Sequence, residues 1–214
     1  MAGSRRRSLL LSNATPAAGF LLLWLTPSAL DSQPREALTE RHIRTLTRQS
    51  DSEAKGDSTM LVLALDRRVR EQWGEFESFP LSIVRREDVL VTLTTPYMAY
   101  RQALAQYLQI HRPLNEVPWS EAAVIAVSPA RIGGPDIRIV EVARDGRNVA
   151  PLRSRLRPMT FTNGNGETGV MHAGELHYSM SAFAPGSLVT ITARPQEGEP
   201  FVYTLSRSEL QTLK

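Results

Sequence analysis

Residues 136–152 read DIRIVEVARDGRNVAPL, and this stretch decides the fold. From Asp136 to Ala143 it is strand-length and rich in β-branched residues, with Ile137, Ile139, Val140 and Val142 set among charged neighbours. Asp145-Gly146 follows, a dipeptide that tolerates the positive φ of a tight turn. Asn148 to Leu152 then reads as the next strand.

The same grammar runs outward in both directions. Ala122 to Val127 precedes it as a strand, and Met159 to Asn163, Gly169 to Met180, Ser187 to Ala193 and Phe201 to Leu205 follow. Asn163-Gly164-Asn165-Gly166, Pro185-Gly186 and Gly198 before Pro200 punctuate them. Short strands at this spacing predict an antiparallel β-sandwich of immunoglobulin-like architecture over residues 119–214. The chain closes with a small helix: Ser206-Arg207-Ser208-Glu209 has capping-box spacing, and Leu205 with Leu210 can staple its first turn.

Toward the N-terminus the pattern becomes mixed, so the predicted class is α+β. Within residues 59–118, Val89 to Leu93 reads as a strand. The clearest helix follows it, with Thr95 as cap, Pro96 in the first turn and Pro113 stopping it after Ile110. Tyr97, Tyr100, Leu104, Tyr107 and Leu108 share one face, which is expected to be core. Met60 to Leu65 reads as a strand, with a helix through Val69 and Trp73 as the alternative. Residues 31–58 are expected to hold a short helix from Ser32 to Arg48 and then a flexible polar linker over Gln49 to Ser58.

Residues 1–30 have the layout of an export signal. Arg5, Arg6 and Arg7 precede the apolar run Ala17 to Leu25, and small residues follow up to Leu30. Nine apolar residues fall short of the roughly 20 that span a bilayer. Cleavage is expected between Ser28 and Ser32; the alternative is retention of residues 9–30 as a membrane anchor. Arg6-Arg7-Ser8-Leu9-Leu10 also resembles the twin-arginine export signature, without its usual Phe and Lys. The protein is therefore expected to be exported, to the periplasm or beyond.

The chain has 214 residues, 25 of them basic and 22 acidic. Three of the basic residues and none of the acidic ones lie in residues 1–30, so the exported part carries 22 of each. A nucleic-acid partner is not expected from such a balance. The absence of cysteine excludes disulfides, thiol chemistry and cysteine-ligated metal.

Catalytic motifs are missing. There is no Gly-x-Ser-x-Gly elbow, Walker loop, dinucleotide fingerprint or His-Glu-x-x-His. Ser52-Glu53-Ala54-Lys55 matches the Ser-x-x-Lys signature of penicillin-binding proteins and β-lactamases. Lys214 is the sole other lysine, however, and leaves no Lys-Thr-Gly companion. His172 and His177 flank Glu175, but strand alternation places the two histidines on opposite faces. No cofactor and no metal site is expected.

Arginine carries the remaining signal. Seven arginines lie between Arg131 and Arg157 against Asp136, Glu141 and Asp145. Arg153, Arg155 and Arg157 alternate, so on an extended strand they share one face about 6.5–7 Å apart. Guanidinium forks in a row suit carboxylates or phosphates. Flanking charge and proline also protect exposed strand edges, which is the structural alternative. The expectation is a non-enzymatic binding or assembly module of a bacterial-type cell envelope, whose partner is an anionic envelope polymer or another envelope protein. The alternatives are an envelope hydrolase drawing on Glu175, His177, Asp136 or His111, and a membrane-tethered subunit of a larger complex.

Overall fold

The structure is a computed structural model and describes residues 37–86 and 88–213. The export segment and the predicted helix start at Ser32 lie outside the described residues.

Two helices open the described chain, α1 (Glu40–Ala54) and α2 (Ser58–Trp73). Thr39 caps α1 by accepting from the His42 amide, and Asp57 caps α2 by accepting from the Met60 amide at 2.9 Å. Lys55 and Gly56 turn the chain between them with φ of 50° and 85°. The predicted linker over Gln49 to Ser58 is thus corrected: α1 continues to Ala54, and only a tight turn separates it from α2. The reason is helical periodicity carried by small residues. Ile43, Leu46, Thr47, Ser50 and Ala54 are the buried positions of α1, and the last three look polar or neutral in sequence. Met60 to Leu65 is helix rather than strand, because Leu61, Leu65 and Val69 are buried together while Met60 and Leu63 are exposed.

The strands β1 (Leu81–Arg85) and β2 (Val89–Thr94) form an antiparallel pair, and β1 escaped the sequence reading. Helix α3 (Pro96–Gln109) follows with the expected cap, Thr95 accepting from the Met98 amide. Then come β3 (Ala122–Pro129), β4 (Ile137–Arg144), β5 (Arg147–Val149), β6 (Arg153–Ser154), β7 (Arg157–Thr162), β8 (Thr168–Ser179), β9 (Val189–Pro195), β10 (Phe201–Leu205) and helix α4 (Arg207–Thr212). Both halves of the predicted capping box at α4 form, between Ser206 and Glu209.

The fold is α+β with antiparallel sheets. One sheet runs β1-β2-β3-β8-β6, with β7 pairing β8 beyond it; the other runs β10-β9-β4-β5. The predicted division at residue 118 crosses the first sheet, since β2 pairs β3 from Val89↔Pro129 to Thr94↔Val124. From Ala37 onward the chain is one unit.

One apolar cluster joins the two sheets. Val91, Leu93, Ile125, Leu176 and Tyr178 contribute from the first, and Val140, Val142, Ile191 and Ala193 from the second. Tyr178 ties them directly by donating its hydroxyl to the Val140 carbonyl at 3.3 Å. A second cluster gathers α1, α2 and α3 around Ile43, Leu65, Val69, Tyr97, Tyr100 and Leu104. The Tyr97 and Tyr100 face is therefore core, and Trp73 and Trp119 pack against it. No helix among the described residues is long and apolar enough to cross a membrane.

Candidate functional site

The arginine segment forms one side of a long antiparallel hairpin. Arg153 and Ser154 pair with His177 and Leu176, and β7 continues the same register from Arg157↔Ala173 to Thr162↔Thr168. Between these ladders the Arg155 amide donates to the Glu175 carbonyl at 2.8 Å, and at the far end the Asn163 amide donates to Glu167 at 3.0 Å. From Arg155 onward the odd-numbered residues therefore turn their backbone groups toward β8 and the even-numbered ones turn theirs outward, whereas before it the Leu152 amide also donates to β8, at the His177 carbonyl. Pro158 occupies an outward position, where its missing N–H breaks no bond of the hairpin.

Gly174 shapes the middle of this hairpin. Its φ is +139°, and a Cβ there would stand 2.3 Å from the Arg155 carbonyl oxygen. Burial along β8 changes phase at this glycine: Met171 and Ala173 are buried before it, Leu176 and Tyr178 after it. The opposite-face reading of His172 and His177 assumed unbroken alternation, and the slip removes that premise. Both histidines are partly exposed, each beside its own carboxylate.

A shallow open concavity of about 790 Å³ lies on the hairpin, with Arg155, Arg157, Met159 and Glu175 around it and Ala173 and Gly174 among its lining residues. Arg153 lies one pleat beyond, across from His177. All three arginines are exposed. Among the described residues none of their guanidinium groups forms an ion pair or a side-chain hydrogen bond. Several other arginines are committed, Arg44 to Glu40, Arg67 to Glu53, Arg101 to Asp66, Arg138 to Asp136 and Arg194 to Glu141, whereas Arg41, Arg48, Arg85, Arg147 and Arg207 share the uncommitted state among the described residues. The Asn163–Gly166 turn at the hairpin tip satisfies itself, with the Asn163 side-chain oxygen accepting from the Asn165 and Glu167 amides at 3.0 Å each.

The residues of the hydrolase reading fall into separate pairs. Asp136 accepts the His172 backbone amide at 2.6 Å and lies 3.1 Å from its Nδ1. Burial pushes the Asp136 pKa up, but hydrogen bonds from the His172 amide, Arg138 and the His172 ring outweigh that and hold the carboxyl below its ordinary value. His177 Nε2 lies 3.4 Å from Glu175. His111 is exposed just beyond α3, with φ of 54°. Among the described residues no hydroxyl hydrogen-bonds either His172 or His177, so neither pair has an adjacent nucleophile to activate. No group of three or more His, Asp or Glu side chains among them could hold a metal.

The sequence reading missed the Asp136–His172 link, which joins residues 36 apart. The only available signal was Asp136 standing at the start of a strand, and spacing carries no information about its partner.

No family model matches this chain, and no curated protein matches it. Among solved structures, a protein of unknown function from Burkholderia pseudomallei aligns at 10% identity with a TM-score of 0.38, over 83% of this chain and 97% of that one.

Proposed function

We propose that this protein is an exported, non-enzymatic binding or assembly module of a cell envelope, which holds an anionic polymer through Arg153, Arg155 and Arg157. The observation that carries the reading is the pair of exposed, uncommitted guanidinium groups at an open concavity, Arg155 and Arg157, with the equally uncommitted Arg153 two residues before them. Arg101 by contrast is tied within the fold, at Asp66, and what sets Arg155 and Arg157 apart from other unpaired arginines is their place at the concavity. Free forks keep their bidentate capacity for an outside anion. Export is supported by the three-part layout of residues 1–30. In the same reading the two sheets are the leaves of a β-sandwich, supported by the apolar cluster they share.

The test is retention on envelope fragments by the full chain and by a variant with all three arginines changed to glutamine. Retention is expected to fall at least about tenfold in the variant. Wild-type retention is expected to fall as salt shortens the Debye length from about 10 Å at 0.1 M to about 3 Å at 1 M. Equal retention of the two proteins eliminates the site. N-terminal sequencing of the cellular product tests export: a start between residues 28 and 32 agrees with cleavage, and an intact Met1 or Ala2 favours the anchor.

A further inference from the structure

We infer that the arginine face selects anionic polymers whose charges alternate with hydroxyl or amino donors, such as a carboxylated polysaccharide, and that Glu175 enforces the selection. The inference rests on the reading of Arg153, Arg155 and Arg157 as an anion grip.

Glu175 stands across the hairpin from Arg155, whose amide donates to the Glu175 carbonyl at 2.8 Å. Its side chain is 52% exposed and lines the same concavity as Arg155 and Arg157. Among the described residues it pairs with neither arginine; its recorded partner is His177. The concavity therefore presents two uncommitted basic groups, Arg155 and Arg157, with the Glu175 carboxylate among them. An ionised carboxylate only accepts hydrogen bonds. A ligand placing an anion beside it meets like charge, whereas a hydroxyl or ammonium group satisfies it.

A densely charged chain such as polyphosphate cannot avoid that clash while engaging both Arg155 and Arg157. A sugar chain with one carboxylate per unit can, because its hydroxyls fall between its charges.

Equilibrium binding of polygalacturonate and of polyphosphate, matched in total charge, tests this with the full chain. Wild type is expected to bind polygalacturonate at least about tenfold more tightly, and Glu175→Gln to remove most of that ratio by strengthening polyphosphate. Equal wild-type affinities, or an unchanged ratio in Glu175→Gln, overturn the role of Glu175. The triple variant R153Q/R155Q/R157Q separates the two ideas. If it loses both polymers while Glu175→Gln leaves the ratio alone, only the selection fails. If it keeps both, or if wild type binds neither, the anion grip and its selectivity fail together.

Discussion

Gly174 and Arg155 approach so closely that the space a Cβ needs on the glycine is already taken by the arginine's carbonyl oxygen, 2.3 Å away. The contact is backbone against backbone, so no side-chain rotation relieves it. It coincides with the point where β8 changes the face it buries.

Gly174→Ala is expected to destabilise the protein by at least about 1–3 kcal/mol, because alanine at this φ is strained even before the clash. Urea unfolding with a constant m-value measures it. A change below about 0.5 kcal/mol would show that the hairpin relaxes freely, and would remove Gly174 as the determinant of the change of face.

Asp136 should make stability fall in acid. Its folded-state pKa lies below the ordinary aspartate value, so the unfolded chain takes up the proton first as pH drops. The stabilisation is complete above the ordinary value and disappears as pH falls through the lowered one. Asp136→Asn should flatten that part of the profile and lower stability at neutral pH, read from melting temperatures between pH 6 and pH 3. Identical profiles for the two proteins would mean the link to His172 contributes nothing.

Ser50 is fully buried on α1, and its hydroxyl has no hydrogen-bond partner. Leaving such a group unsatisfied costs about 1–3 kcal/mol. Ser50→Ala removes it without altering the close packing of the helix. The variant is expected to match or exceed wild type by up to about 1 kcal/mol. A clear loss would place an unseen partner at the hydroxyl.

Ile191 lies at the centre of the core between the sheets, with β4 on one side of its strand and β10 on the other. Ile191→Ala should cost about 2–5 kcal/mol. Polymer binding by the folded fraction should remain unchanged, which distinguishes core damage from damage to the arginine face.

Much of the β-rich half was legible because its turns are chemically explicit. Asp145-Gly146 and Asn163 to Gly166 each stand between residues of matching strand character, and both hairpins form there. Helix α3 was legible from Thr95, Pro96 and Pro113 for the same reason. The end of α1 was not, because Ser50 and Ala54 are buried by close helix packing rather than by hydrophobicity. Strand β1 is five residues long and is interrupted by a bulge between Ser82 and Val84, too short for alternation to emerge. At the site, the alternating arginines were visible in sequence, but the phase change at Gly174 and the placement of Glu175 opposite Arg155 depend on register across a hairpin.

Pro158 decides how anything reaches this part of the molecule. Its ring sits on the outer rim, where an incoming β-chain would look for an amide proton and find none, so the sheet resists being lengthened by a neighbour. The loss of that rung favours contact on the broad side of the ribbon, through groups that water and ions can replace one at a time. Attachment of that kind exchanges quickly and follows ionic conditions.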